Sequence, residues 1–206
     1  MSVSMDSEAW NRRYAGTELV WTAQPNRFLV SETADLTPGR ALDVACGEGR
    51  NAVWLAEQGW RATGVDFSDV ALGKARGLAE ARAVEVDWVR ADVVEHRSGE
   101  RAFDLVIVFY LQLAESTRTT ALRAAADAVA EDGTFLLVAH DSSNLEHGHG
   151  GPQHPGVLYT AADAARDIHG SGLVVERAGV VERPVQTPDG ERIALDALVR
   201  AHRPTA

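Results

Sequence analysis

"ALDVACGEGRNAVWLAEQGW", residues 41–60, has the pattern of a short apolar strand, a turn with two glycines and a helix. Gly47 and Gly49 allow the backbone to approach a ligand closely, and the following helix offers free N–H groups in its first turn. Turns of this kind bind nucleotides, although a tight turn without a ligand leaves the same pattern. The stretch predicts a strand–turn–helix unit, whose ligand has to be inferred from the rest of the chain.

The alternation of strand and helix continues to about residue 140. β-branched runs alternate with alanine-rich stretches, which is typical of βαβ units around a parallel sheet. We expect strands at residues 41–45, 61–66, 84–90, 103–109 and 134–140. We expect helices at residues 51–58, 69–82 and 117–131, the last ending at Asp132-Gly133.

The pattern changes on either side of this region. Residues 141–155 are rich in Gly, His, Ser and Asn and predict a loop, followed by a short helix at 160–170. Strand-like runs at 173–182 and 192–200, with a turn at 184–190, predict an antiparallel pair that closes the sheet. Residues 1–38 contain Trp10, Tyr14 and Trp21 and predict a helical cap. We therefore expect one domain, with a cap at 1–38, a core at 39–140 and an acceptor-side region at 141–206.

Composition limits the classes of function. The chain has 206 residues and a net charge of −10, without the basic cluster that a nucleic-acid surface needs. Cys46 is the only cysteine, so an intrachain disulfide is excluded and a reducing compartment is expected. The sequence shows neither a signal peptide nor an apolar run of the roughly 20 residues that a membrane span requires. We expect a cytoplasmic protein that binds neither nucleic acid nor membrane.

Three aspartates lie at or just after the carboxyl ends of successive predicted strands. Asp43 lies four residues before Gly47, where it would repel a dinucleotide's diphosphate and attract a cationic group such as an ammonium. Asp66 ends the second strand, where an acidic residue binds ribose hydroxyls; its other role would be helix capping, for which Ser68 is suited. Asp92 follows the third strand and alone would be interpreted as a solvated loop residue. Because parallel strands bring their carboxyl ends together, the three predict a site for an adenosine-containing cofactor.

These features resemble the class I S-adenosylmethionine (SAM)-dependent methyltransferases. The matching stretches are "LDVACGEGRN" (42–51), "GVDFS" (64–68), "RADV" (90–93) and "FDLVIVFYLQL" (103–113). Ala45 stands where the family usually has the first glycine of the turn. With "WNRRYAGTELVW" (10–21), "PNRFL" (25–29), "GGPQ" (150–153) and "VLYT" (157–160), the chain is most similar to the tellurite-resistance and thiopurine methyltransferase-like branch.

The resemblance implies an α/β, Rossmann-like fold: a mostly parallel seven-stranded sheet with one antiparallel strand and helices on both faces. It also implies SAM as cofactor and S-adenosylhomocysteine as product. Asp43 would lie near the methionine ammonium, Asp66 would bind the ribose beside Phe67, and Asp92 with the Val93 backbone would bind the adenine. The complete set implied to bind the cofactor is Asp43, Ala45, Gly47, Gly49, Asn51, Asp66, Phe67, Ser68, Asp92, Val93 and Phe109.

Catalytic residues are less well defined. Tyr110 and His140, after the fourth and fifth strands, are candidate general bases, although a pocket-wall aromatic and a structural histidine are the simpler interpretations. His147, His149 and His154 lie in a Gly- and Pro-rich stretch that favours a mobile loop over a metal site, so we expect no metal.

The expected function is methyl transfer from SAM to a small-molecule acceptor by in-line displacement, achieved mainly through positioning. Two alternatives stay open: an NAD-type oxidoreductase with a Rossmann fold, and a non-catalytic protein that binds an adenosine cofactor. The sequence leaves the oligomeric state open.

Overall fold

The computed structural model describes residues 7–205 and contains a seven-stranded sheet in the order β3-β2-β1-β4-β5-β7-β6. The strands are β1 Arg40–Val44, β2 Arg61–Asp66, β3 Asp87–Arg90, β4 Phe103–Phe109, β5 Val129–His140, β6 Val174–Thr187 and β7 Gly190–His202. The pairs from β3 to β5 are parallel, whereas β7 is antiparallel to both β5 and β6. The structure confirms the predicted mostly parallel sheet with one antiparallel strand.

Helices cover both faces of the sheet. They are α1 Ser7–Tyr14, α2 Arg27–Glu32, α3 Arg50–Glu57, α4 Asp69–Ala81, α5 Glu115–Asp127, α6 Asn144–His147 and α7 Ala161–Asp167, with a 3₁₀ turn at Pro155–Val157. Leu42 and Val44 of β1 pack in the core beneath α5 and α7, whereas Ala41 packs in the second core beneath α2 and α3. This alternation is the period-two pattern of a strand buried on both faces. No helix among residues 7–205 is long and apolar enough to span a membrane.

The predicted end of the third core helix is wrong. The helix α5 ends at Asp127, and β5 begins at Val129 instead of residue 134. Val129 pairs with Phe103 and Thr134 with Leu105, so the residues between them form a bulge in which Asp132 has φ 59°. The guanidinium of Arg203 donates to the carbonyl oxygens of Ala126 and Val129, which a continuing helix would use. Asp132-Gly133 therefore marks a β-bulge instead of a helix terminus.

The predicted turn at 184–190 is shorter than expected. The strand β6 continues to Thr187, and β7 begins at Gly190, which leaves only Pro188 and Asp189 in the turn. Pro184 lies within β6, where it is tolerated because β6 is an edge strand of the sheet.

Candidate active site

A cavity of about 940 Å³ lies at the carboxyl ends of the parallel strands. Its walls come from the N-terminal segment, the strand ends, the loop around residue 150 and the last part of β6, next to its turn with β7. Of the eleven residues that the family resemblance implies, nine line the cavity: Asp43, Ala45, Gly47, Asn51, Asp66, Phe67, Asp92, Val93 and Phe109. Gly49 and Ser68 do not line it, and their contacts are structural.

The turn after β1 is shaped by left-handed backbone conformations. Ala45, Gly47 and Gly49 have φ of 59°, 54° and 78°. Ala45 therefore adopts the conformation for which glycine is the usual residue, which explains why the family pattern has glycine there. At Gly49 a Cβ atom would lie 2.5 Å from the Trp88 ring and 2.7 Å from the Ala75 Cβ, so close packing as well as φ requires glycine.

Asp66 connects the turn after β1 to the start of α4 through two hydrogen bonds. Its Oδ2 accepts from the Gly47 N–H at 2.8 Å, and its Oδ1 accepts from the Ser68 N–H at 2.9 Å. Burial raises the pKa of Asp66, while these backbone donors oppose the rise. Ser68 is the N-cap of α4, with its Oγ accepting from the Ala71 N–H at 3.1 Å. The capping role considered for Ser68 is therefore the one observed.

Asp43 is a buried carboxylate with an unsatisfied oxygen. The side chain is 2% exposed, and Oδ2 has no hydrogen-bond partner among the described residues. Burial raises the pKa of Asp43 to about 8, against the opposing effects of the Ala52 N–H and the Arg50 charge. A buried, unpaired carboxylate is costly, so this wall of the cavity is suited to a cationic or hydrogen-bond-donating group.

Two residues beside the glycines were missed by the sequence analysis. Glu48 is buried and accepts from the backbone N–H groups of Val20 and Trp21, each at 3.0 Å, and from Lys74 Nζ at 3.0 Å. Arg50 lines the cavity, and its guanidinium forms no hydrogen bond or ion pair within residues 7–205. The only sequence signal was their charge within an otherwise small or apolar turn, and their partners are distant in the chain.

The far end of the cavity holds both candidate bases. The Tyr110 and His140 rings lie with centroids 4.7 Å apart, and both residues line the cavity. Behind them is Asp196 of β7, which is fully buried and accepts from Tyr110 Oη at 2.8 Å and from Arg183 Nε at 2.6 Å. Tyr110 Oη in turn accepts from Asn26 Nδ2 at 3.2 Å. Sequence analysis missed Asp196 and Arg183, which are more than 40 residues from either candidate base.

The three histidines of the loop after β5 lie in different surroundings. His149 lines the cavity, His147 is exposed beside Glu146, and the His154 side chain accepts from the Gly156 N–H. In the part of the chain that the structure covers, no three His, Cys, Asp or Glu residues form a group able to hold a metal ion. Burial raises the pKa of the Cys46 thiol well above its usual value, as expected of a packed cysteine.

Comparison with known proteins assigns the central region to a family. Residues 41–133 match the family described as a methyltransferase domain. The chain is 35% identical over 97 residues to demethylmenaquinone methyltransferase of Thermus thermophilus, covering 46% of this chain and 42% of that protein. It spans about half the length of several curated relatives that it matches.

Solved structures extend the similarity of fold to nearly the whole chain. One, solved in work on the conversion of a disulfide bond into a thioacetal group during echinomycin biosynthesis, has a TM-score of 0.78 and 21% identity, covering 96% of this chain and 91% of that one. TehB from Haemophilus influenzae has a TM-score of 0.70 and 14% identity, covering 96% of this chain and 66% of that one.

The matched stretch contains the glycine turn, Asp43, Asp66 and Asp92. Residues 41–133 therefore match a methyltransferase domain, and the chain shares its fold with solved structures that include magnesium protoporphyrin IX methyltransferase from Synechocystis, determined with bound S-adenosylhomocysteine. The neighbours include TehB among several others, so the similarity does not single out one branch of the class.

Proposed function

We propose that this chain transfers a methyl group from SAM to a small-molecule acceptor bound in the same cavity. The observation that carries the proposal is the unpaired, buried Oδ2 of Asp43 on the wall of a large cavity, beside the glycine turn. A cofactor with an ammonium group would supply the partner that this oxygen lacks.

The residues present fit the cofactor along its whole length. Asp43 would accept from the methionine ammonium, and Arg50, whose guanidinium is unpaired within the described chain, would bind the carboxylate. Asp66 would bind the ribose hydroxyls, because each carboxylate oxygen retains a lone pair beyond the backbone N–H that it accepts. Asp92 and the backbone of Val93 would address the adenine.

The cofactor supplies an electrophilic methyl carbon attached to a sulfonium. The protein's own contribution is to hold the acceptor in line with that carbon and to exclude water, which removes much of the entropic cost of encounter. A cavity of about 940 Å³ can hold the cofactor together with a compact acceptor. We propose a cytoplasmic enzyme of the tellurite-resistance and thiopurine methyltransferase-like branch, with thiols and chalcogen oxyanions as the first acceptors to screen.

Calorimetric titration of the purified chain with SAM, S-adenosylhomocysteine and NADH tests the proposal. We expect binding of the first two and not of NADH. Binding of NADH alone would overturn the proposal in favour of a dehydrogenase-like protein. Binding of the first two without turnover of any acceptor in a broad screen would favour a non-catalytic binding protein.

A further inference from the structure

Only one of the two candidate bases has a nitrogen or oxygen free to take a proton. The Tyr110 hydroxyl donates to Asp196 Oδ2 and accepts from Asn26 Nδ2, so both of its hydrogen-bonding directions are occupied. Burial raises the pKa of Tyr110, and the negative charge of Asp196 adds to the rise. A neutral phenol that donates to a buried carboxylate is a poor proton acceptor.

His140 presents its two ring nitrogens to different surroundings. Nδ1 is buried and lies 3.4 Å from Asp196 Oδ1, a close polar contact outside hydrogen-bond geometry. Nε2 also forms no hydrogen bond within residues 7–205. It is not fully buried, however, whereas Nδ1 is. Since His140 lines the cavity, Nε2 is the nitrogen available to an acceptor.

The imidazole is held in this orientation on both sides. The Tyr110 ring lies at 4.7 Å between centroids. Gly151 lies on the other side of the imidazole. A Cβ atom added at Gly151 would lie 2.9 Å from His140 Nδ1 and 3.1 Å from His140 Cε1. Gly151 also has φ +75°, so glycine is required both by the backbone and by the ring beneath it. A side chain at position 151 would therefore displace the imidazole.

Asp196 is suited to fix the proton on Nδ1. It is fully buried, and Arg183 and Tyr110 hydrogen-bond to it. Burial alone would raise the pKa of Asp196, but these partners and the nearby His140 outweigh burial and hold the pKa below its usual value. An ionised carboxylate beside Nδ1 favours the tautomer with the proton on Nδ1 and the lone pair on Nε2.

We propose that His140 is the general base of the methyl-transfer reaction and that Asp196 positions it, an inference that rests on the proposed function. The acceptor class is then a molecule whose attacking atom carries a proton, such as a thiol, hydroxyl or amine. The acceptor's proton passes to His140 Nε2, and the electron pair on the attacking atom forms the bond to the methyl carbon. The carbon–sulfur bond of the sulfonium breaks with its electrons remaining on sulfur, and the imidazolium later releases its proton to solvent.

The first test needs neither cofactor nor acceptor. Long-range ¹H–¹⁵N spectra of the ligand-free protein report which ring nitrogen carries the proton in neutral histidine, and His140→Gln assigns the signal. We expect the Nδ1–H tautomer for His140, and loss of that preference in Asp196→Asn. An Nε2–H tautomer in the wild-type protein would overturn the proposal. The exposed His147, assigned with His147→Gln, is the control for a histidine whose carboxylate neighbour, Glu146, lies on the Nε2 side.

The second test uses a protonated acceptor identified by the screen. We expect His140→Gln to lower kcat by about 10²–10⁴-fold and to leave the affinity for S-adenosylhomocysteine unchanged. It should also remove the acid limb of the pH profile, which is the fall of kcat towards low pH. The charged or titratable groups around the imidazole are Asp196 of β7, Arg183 of β6, Tyr110 after β4 and the adjacent Asp141. Tyr110→Phe should retain that limb, which separates the two candidate bases.

Gly151→Ala provides a variant that leaves Asp196 intact if Asp196→Asn fails to fold. We expect it to lower kcat at least about tenfold by displacing the imidazole, with cofactor affinity unchanged. A His140→Gln variant that keeps kcat within about twofold would overturn the inference. Failure of the wild-type protein to bind S-adenosylhomocysteine would instead contradict the proposed function, and the tautomer measurement would still decide the orientation of His140.

Discussion

At the scale of single residues, Asp43 links the cavity to the pH dependence of stability. Its pKa is about 8 in the folded chain against an ordinary value of 3.8. As the pH rises from about 4 to about 8, the unfolded chain releases a proton that the folded chain retains, so the folded state loses stability. One pKa unit corresponds to about 1.4 kcal/mol, and water in the cavity relieves part of the penalty.

We therefore expect Asp43→Asn to raise the free energy of unfolding of the ligand-free protein by about 2–4 kcal/mol at pH 9 and to change it little at pH 4. Urea unfolding at the two pH values measures the difference. Asp92→Asn is the matched control, because Asp92 lines the same cavity but is exposed. Equal effects of the two substitutions at pH 9 would contradict the account of Asp43.

Arg50 offers a second prediction at this scale. If its guanidinium binds the carboxylate of the cofactor, Arg50→Gln removes a charge-assisted hydrogen bond worth about 1.5–3 kcal/mol. We expect the Kd for S-adenosylhomocysteine to rise by roughly 10- to 150-fold, and the Kd for 5′-methylthioadenosine, which lacks the carboxylate, to stay the same. Calorimetry with both ligands measures the difference, and equal losses for both would show that Arg50 acts on the shape of the turn.

The sequence was informative about residues whose role follows from position alone. The sequence predicts that three aspartates face one cavity, because parallel strands have their carboxyl ends at the same edge of the sheet. These are Asp43, Asp66 and Asp92. Asp196 could not be predicted in this way, since its importance depends on an antiparallel strand that returns beside β5 and brings it to His140, 56 positions earlier in the chain. Long-range pairing of this kind leaves no local pattern.

At the scale of the elements, two glycines make opposite predictions. Gly49→Ala forces a Cβ into Trp88 and Ala75 at a left-handed φ, and we expect a loss of about 2–4 kcal/mol in the free energy of unfolding. Gly73 lies within α4 with nothing within 4 Å of an added Cβ, so Gly73→Ala should gain about 0.5–1 kcal/mol. Chemical denaturation of both variants measures the contrast, and a stable Gly49→Ala protein would mean that the turn can relax.

Glu48 connects the glycine turn to the N-terminal segment. Its carboxylate accepts from the N–H groups of Val20 and Trp21 and pairs with Lys74 of α4. Glu48→Gln removes the carboxylate charge that pairs with Lys74 and turns an amide N–H₂ towards one of these backbone donors, so we expect a loss of about 1–3 kcal/mol in the free energy of unfolding. Hydrogen exchange at the amides of Val20 and Trp21 should accelerate about tenfold or more.

Lys74→Met is the matched variant for this contact, because it removes the charge and the Lys74 hydrogen bond to the Glu18 carbonyl but leaves both backbone hydrogen bonds to Glu48. It should accelerate exchange at Val20 and Trp21 less than Glu48→Gln does. The reverse order would show that the two contacts of Lys74, and not the backbone hydrogen bonds to Glu48, hold the segment.

Elements were predicted where the pattern was local and were wrong where a distant partner intervened. The strands β2 and β4 have the predicted bounds because their apolar runs are buried on both faces. The helix α5 stops four residues early because Arg203, at the far end of the chain, captures the carbonyl oxygens at its C-terminal end. Propensity and turn signals cannot register such a hydrogen bond.

At the scale of the whole molecule, the cavity is enclosed by segments from both ends of the chain. Tyr14, Trp21 and Asn26 come from the N-terminal part, and Gly151 and Arg183 come from the C-terminal part. The N-terminal segment contributes no strand to the sheet and is attached to the cavity wall by side-chain hydrogen bonds, among them those of Glu48, Asn51 and Lys74. We therefore infer that the N-terminal segment is the one that moves when the cofactor enters.

Hydrogen exchange with and without S-adenosylhomocysteine tests this inference across the whole chain. At a ligand concentration of about 100 Kd the folded state gains about 2.7 kcal/mol, which slows exchange through global unfolding everywhere. We expect additional protection in residues 10–26, because their opening exposes the bound ligand, and no additional protection in residues 145–155, which flank the acceptor end. Protection confined to residues 43–67 would show that the N-terminal segment covers the cavity without responding to the cofactor, and additional protection at 145–155 would mean that the C-terminal loop closes over it.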